Sequence, residues 1–236
     1  MSLPALDIAA LVKDYRGLRP LRLQRLTLEA GEQLAILGFD EPTAEMMTTL
    51  ITGAAVPDAG DIRVLGTSTA DIADSTQWLE LVDRIGIVTN RAALLDGLSV
   101  IQNLAMPFTL DIEPPPADVR ERAARLASEA GLPSASWERP VGDLAGDLRA
   151  RLRIARAVSL DPALILMEHP TADVPRDAVR HLASDVKQVI ERRGIAALTL
   201  TADEMFAENV SQQVVTWDPA SGALRVHRRA WRPWRH

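Results

Sequence analysis

Residues 34–66 read LAILGFDEPTAEMMTTLITGAAVPDAGDIRVLG. An apolar strand, Leu34 to Leu37, runs into Gly38. A short loop follows, then an apolar-periodic stretch that ends at Gly53. This is the frame of a phosphate-binding loop. A working loop of the form G-x-x-x-x-G-K-[ST] wraps phosphates in glycine amides, sets a Lys against the β- and γ-phosphates and holds Mg²⁺ with the Ser/Thr hydroxyl. Here Thr43 stands at the second Gly position, Ala44 at the Lys and Glu45 at the Ser/Thr, with Met46 after them. Asp40, Glu41 and Pro42 fill the loop itself. The frame is kept and its chemistry is contradicted.

Four further stretches follow in a fixed order. Residues 84–108, RIGIVTNRAALLDGLSVIQNLAMPF, join an apolar strand to a helix. Residues 143–174, DLAGDLRARLRIARAVSLDPALILMEHPTADV, join an Arg-studded helix to a buried strand. A helix and strand then end in LTLTAD at Asp203, and Tyr15 sits near the start in DYRG. Together with Pro57, Gly60, Ile62, Val64 and Gly66, these pieces resemble the nucleotide-binding subunit of ABC transporters over nearly the whole chain. That family runs close to G-P-N-G-A-G-K-S-T-L-L-x-L-I-T-G and then P-x-x-G-x-I-x-V-x-G. The resemblance implies an α/β fold, the P-loop NTPase (RecA-like) ABC nucleotide-binding domain, with an antiparallel β subdomain and an α-helical subdomain at about 91–154. It implies a single domain over residues 1–236.

The resemblance also assigns positions. Tyr15 falls at the adenine-stacking aromatic, and Asn90 at the Gln of the Q-loop. The signature LSGGQ reads Leu144, Ala145, Gly146, Asp147, Leu148. Glu168 and His169 stand where an Asp–Glu pair holds Mg²⁺ and activates water, and Ala202 stands at the switch His. Glu168 keeps a carboxylate able to reach Mg²⁺ through water. His169 offers an imidazole, a different base from the family's carboxylate. Adjacent strand residues point to opposite faces, so Glu168 and His169 are not expected to form a metal pair; no metal ligands are assigned.

Charge weighs against the ancestral ligand. Unit charges about 4 Å apart repel by roughly 4 kcal/mol at an effective dielectric near 20. Ala44 removes the counter-charge of the triphosphate, Glu45 adds an acid, and Pro42 removes an amide from the anion nest. No tight cofactor is expected; ATP with Mg²⁺ would be bound only if the family function is retained. The same acids complement the macrodipole of a helix N-terminus, and so are expected to stabilise the empty loop.

Composition sets the class. A length of 236 residues suits one α/β unit, 47 % hydrophobic residues supply a core, and a net charge of −6 argues against nucleic-acid binding. The absence of cysteine excludes disulfides and thiolate metal sites. The sequence shows no signal peptide and no long uncharged apolar run, so a cytoplasmic chain is expected, peripheral to the membrane. Only Lys13 and Lys187 are lysines.

Residues 3–30 alternate in short runs and predict antiparallel strands. Helices are predicted at 44–53, 77–83, 98–107, 117–131, 147–159, 177–194 and 204–209. Strands are predicted at 34–37, 61–66, 85–89, 163–167, IAALTLT, VVTWD and ALRVH, and the alternation of strand and helix implies a parallel sheet. Arg149, Arg151, Arg153 and Arg156 read as a solvated helix face, with a phosphate role as the alternative. RVHRRAWRPWRH, residues 225–236, is either a contact for anionic lipid or a partner, or a frayed tail.

What survives is the segment where ABC subunits dock a membrane partner. ALLDGLSVIQNLAMPF keeps an apolar face and the helix-starting Ser99, and is similar to Mla/MCE-type lipid transporter subunits. The implied partner is a permease docked near Ala92–Phe108, with a homodimer or heterodimer of ABC subunits. Three functions stay open: a non-hydrolysing subunit of a transport complex, a nucleotide binder or slow ATPase, and an ABC-fold interaction protein without a transporter.

Overall fold

The computed structural model describes residues 3–15 and 17–227. The fold is built on a six-stranded sheet whose middle strands are buried on both faces. β3 (Gln33–Leu37), β7 (Leu164–Glu168) and β8 (Ala196–Thr201) are buried at every residue. Such continuous apolar runs are what a covered parallel strand requires. The sheet order is β10-β9-β3-β8-β7-β6, with β6 at Ile85–Val88, β9 at Gln213–Asp218 and β10 at Ala223–Val226. β6 to β9 and β3 pair in parallel, and β10 closes the edge antiparallel to β9.

The N-terminal strands form a second, antiparallel sheet. Its order is β2-β1-β4-β5, made by β1 (Leu6–Lys13), β2 (Leu21–Leu28), β4 (Ala59–Val64) and β5 (Thr67–Ser68). β2 alternates buried apolar with exposed polar residues over most of its length, the pattern of a half-covered sheet. Gly60 sits at φ +88°, and a Cβ there would lie 2.4 Å from the carbonyl oxygens of Ala9 and Ala10. Only glycine fits that crossing.

Pleating divides the core. Leu164, Leu166 and Leu198 face a cluster shared with Leu6, Leu23 and Met47, so α1 (Glu41–Ile51) is enclosed between the two sheets. Ile165, Met167 and Ala197 face the other way, into a cluster with the remaining large helices. Those helices are α3 (Val100–Ala105), α4 (Ala117–Glu129), α5 (Gly146–Ala157) and α6 (Val179–Arg193). α2 (Ser75–Val82) and α7 (Glu204–Val210) complete the set. Ser99 caps α3 in a full capping box with Gln102, and Gly194 ends α6 at φ +65°.

Two expectations need correction. The helix expected from residue 44 begins at Glu41, because Asp40 caps it and Pro42 fits its first turn. The arginines of α5 do not form a solvated face. Arg151 is 8 % exposed, donates to the Ala130 carbonyl at 2.9 Å and pairs with Asp185 at 2.6 Å. Arg156 donates to the Ala93 carbonyl at 2.7 Å, and Arg149 reaches Asp96 at 3.2 Å. Desolvation lowers the pKa of Arg153 and Arg156 from the ordinary arginine value. The cause is position: α5 packs against α3, α4 and α6, so its polar side meets protein rather than water. The tail expectation falls largely on residues 228–236, outside the described residues.

One ion pair ties the helical layer together. Arg193, at the end of α6, donates twice to Glu129 at the end of α4, at 2.8 and 2.5 Å. It also donates to the Val158 carbonyl at 2.9 Å and pairs with Asp161 at 2.6 Å. The Arg193 guanidinium holds the Glu129 carboxyl below its ordinary pKa. Replacing Glu129 by Gln is expected to cost about 2 kcal/mol near neutral pH. The stabilisation is present above the ordinary glutamate value and lost as pH falls through the lowered folded value. Chemical denaturation of both proteins across the acid range checks this, and a constant difference across that range contradicts it.

Candidate nucleotide site

The loop after β3 has been consumed by its helix. Gly38 holds φ +100°, and a Cβ there would lie 3.2 Å from the Trp217 carbonyl oxygen. Phe39 is buried, its ring centroid 4.6 Å from that of Trp217. The chain then turns directly into α1. Asp40 accepts from the Thr43 amide at 2.9 Å, and the Asp40 carbonyl accepts from Ala44 at 2.9 Å. Pro42 has no amide hydrogen to give. The amides of Thr43 and Ala44 are therefore bound internally, and residue 42 has none to offer. The side-chain hydrogen bond from Thr43, the largest cause, together with the Thr43 amide, lowers the Asp40 pKa.

Tyr15 belongs to this arrangement. Its hydroxyl shares a 2.8 Å hydrogen bond with the Thr43 hydroxyl, and a Cβ at Gly17 would lie 2.7 Å from its ring. Thr43 and Ala44 are buried, and Ala44 is fully enclosed (0 % exposed). A lysine at 44 would therefore need the helix start to rearrange.

The decisive contact involves a residue that was not singled out from the sequence. Arg91 follows Asn90 in the loop after β6. Its guanidinium donates to Glu45 at 2.5 Å and to Glu168 at 2.6 Å. Glu45 and Glu168 occupy the positions that hold Mg²⁺ in the family the motifs resemble. One signal for this was available: two acids replacing a metal-site pair require a cation, and Arg91 is adjacent to the Q-loop position. Glu168 is 5 % exposed, and its Oε1 is buried without a hydrogen-bond partner.

These groups line a cavity of about 180 Å³ with Glu41, Asn90 and His169. Three carboxylates there face a single guanidinium. His169 shares the cavity with Glu168, contrary to the expectation of opposite faces. It lies beyond β7 at φ +40°, so strand alternation does not extend to it. Its amide donates to the Leu200 carbonyl at 2.9 Å, and its Nε2 is buried without a partner.

The structure brings Tyr15, Gly38, Asp40, Glu41, Thr43, Ala44, Glu45, Met46, Asn90, Glu168 and His169 to one end of the central sheet. Leu144, Ala145, Gly146 and Asp147 lie elsewhere, at the start of α5. Gly146 packs so closely on the turn after β7 that a Cβ would lie 1.9 Å from the Asp173 carbonyl oxygen. Ala145 occupies the N-cap of α5 without a side-chain cap bond. Ala202 is exposed, and beside it Asp203 caps α7 and accepts from Thr171 and Arg176. Away from this site, Glu204, Glu208 and His227 bring ligand atoms within 4.8 Å of one another, with His227 2.9 Å from Glu204.

Residues 21–172 match the family model described as ABC transporter. The chain belongs to that family. It is 29 % identical over 228 residues to the lipoprotein-releasing system ATP-binding protein LolD of Alcanivorax borkumensis, covering 95 % of this chain and 98 % of that protein. LolD of Chromohalobacter salexigens is 28 % identical over 77 % of this chain and 76 % of that protein. Among solved structures, the ATP-binding cassette MJ0796, a dimer with ADP and Pi, superposes with a TM-score of 0.75 at 22 % identity over 94 % of this chain and 97 % of that chain. The chain therefore shares the ABC cassette fold over 94 % of its length.

The cap sets a stability expectation. In this cassette, Asp40→Ala should cost about 1 kcal/mol, and Asp40→Asn only part of that. The Asp40 contribution is present above the ordinary aspartate pKa and lost as pH falls through the lowered folded value. Thermal melts of the three proteins at neutral and acid pH check both statements; an Ala variant as stable as the parent would contradict them.

Proposed function

We propose that this chain is a non-hydrolysing ABC subunit of a membrane transport complex, of the lipid or lipoprotein class, that serves as a docking and structural component. One observation carries the reading: the pocket that would hold Mg²⁺ and triphosphate contains an Arg91 guanidinium bound to both Glu45 and Glu168. The loop supports it, since the Thr43 and Ala44 amides are spent on Asp40 and Pro42 supplies none. Neither the metal nor the triphosphate fits these residues as they stand. His169 offers no carboxylate to orient a water, and Ala202 carries no imidazole.

The docking surface is kept. A groove of about 250 Å³ runs past both ends of the 92–108 segment, lined by Ile85, Ile87, Ala92, Pro107, Leu160 and Pro162. Leu160 is 52 % exposed at its rim. Asp83, Arg153 and Arg156 line it as well, so an amphipathic permease helix, with an apolar face and polar flanks, matches that lining. No helix among the described residues is long and apolar enough to cross a membrane, so membrane association in this reading comes through the partner. The cassette then works from the cytoplasmic face, paired with a second copy or with a competent ABC subunit. The LolD likeness supports a lipoprotein or lipid cargo.

A second reading keeps nucleotide binding without hydrolysis. Tyr15 favours it, an aromatic at the adenine position, half-buried beside the loop. Equilibrium Mg-ATP binding to the purified chain, with an Ala44→Lys/Glu45→Ser variant beside it, decides between the two. The first reading expects no saturable binding at millimolar ATP. Micromolar binding by the parent chain would overturn it and leave the second. Restoring Thr43→Gly, Ala44→Lys and Glu45→Ser together is expected to lower the melting temperature without nucleotide, because it replaces an enclosed methyl and one carboxylate partner of Arg91; an unchanged melt contradicts the argument.

A further inference from the structure

We infer that the former metal position is now a cation-binding site whose ligand is the chain's own Arg91, and that this internal ligand holds the docking segment in place without nucleotide. The inference deepens the inactive-site reading and rests on it for the meaning of the pocket.

The geometry is that of a receptor for a cation. Carboxylates from two different elements, the first turns of α1 and the end of β7, converge on one guanidinium. Guanidinium is planar, weakly hydrated and always charged, so it suits a half-open acidic pocket better than ammonium does. Its two contacts use different nitrogens, Nη1 toward Glu45 and Nη2 toward Glu168. The fork thus bridges the two acids as a single metal ion would.

Burial makes the tie obligatory. Glu168 is almost fully buried, one of its oxygens has no partner, and the other is bound to Arg91. Removing the guanidinium leaves a buried carboxylate without compensation. Every other carboxylate lining the cavity, Glu41 and Glu45, would repel it. His169 also lines the cavity, but its Nε2 has no partner there. The pocket therefore selects positive charge, the reverse of what a triphosphate needs. Arg91 itself is 49 % exposed, so small cations have a path to the acids once it is removed.

The consequence is mechanical. Arg91 immediately precedes Ala92, where the docking segment begins. Its two bonds fasten that segment to α1 and to β7 at once. The link is supplied by a side chain of the chain itself, so the segment keeps one position without an added ligand.

Thermal denaturation with cations, and no nucleotide, tests the site. Parent chain should show no shift with about 10 mM MgCl2 or methylguanidinium. Arg91→Ala should melt lower and be raised by either cation, by about 3–6 °C at that concentration if binding is near millimolar. Adding Glu45→Gln and Glu168→Gln to Arg91→Ala should abolish the cation response. The proposal is overturned if parent and Arg91→Ala respond alike, or if Arg91→Ala is as stable as the parent and insensitive to cations. Should Arg91→Ala not fold, Arg91→Ala/Glu168→Gln distinguishes the cases: recovery of folding supports the pairing, and continued failure overturns it. Hydrogen exchange of residues 91–99 should be slow in the parent and faster in Arg91→Ala; equal exchange overturns the mechanical half. Micromolar Mg-ATP binding by the parent would defeat the inactive-site reading, whereas these cation measurements contain no nucleotide and stand or fall separately.

Discussion

A helix that begins at the edge of a buried sheet leaves amides pointing outward and a partial positive charge at its end. Something negative must meet it. In a phosphate-binding loop the ligand supplies that charge, and glycines keep the amides open. Here Asp40 supplies it from within the chain, and the helix starts at Glu41. Closing the loop onto its own helix makes the first turn regular and removes the need for glycine at 43. The altered pocket follows from that constraint. Once the N-terminus is satisfied, the lysine has no phosphate to meet, and an enclosed alanine packs better at 44.

Replacing the metal posed the opposite problem. Glu45 and Glu168 bring two acids to one place, which costs free energy unless a cation joins them. Arg91 does so. The result is a pocket that is satisfied locally at each end, by Asp40 at the helix and by Arg91 between the acids. The rest of the fold needed no change. β3, β7 and β8 are buried at every residue, and α1 is enclosed between two sheets by Met47, Leu50 and Ile51. On the proposed reading, a lost ligand site has left the framework that positions it.

Local signals made much of this legible. Buried strands announced themselves as short apolar runs, Ser99 and Gly194 marked helix ends, and the order of motifs identified the architecture. The failures share a cause. Helix α1 was expected to start at 44 because Asp40 was weighed as a charge against phosphate, although Asp-x-x-Thr also reads as a cap. The α5 arginines were expected in water because sequence periodicity cannot show that α3, α4 and α6 surround that helix. Arg91 was missed because its partners lie 46 and 77 residues away. Adjacent residues in the same stretch, by contrast, misled in the case of His169. Alternation holds only while the strand lasts, and β7 ends one residue earlier.

The two halves of the molecule now bear differently on function. At the nucleotide end, on the proposed reading, Asp40 and Arg91 take over what an outside ligand would supply. At the groove end, Leu160 stands half exposed at the rim, beside half-buried Ile87 and Pro107 and the charged groups of Asp83, Arg153 and Arg156. Both ends are reached through the same loop, since Arg91 and Ala92 are neighbours. A subunit whose task is to respond to ATP would need that loop to move. One whose task is to present a fixed face to a membrane partner would need it anchored, and an arginine held by two carboxylates is an anchor that no change in nucleotide concentration can withdraw.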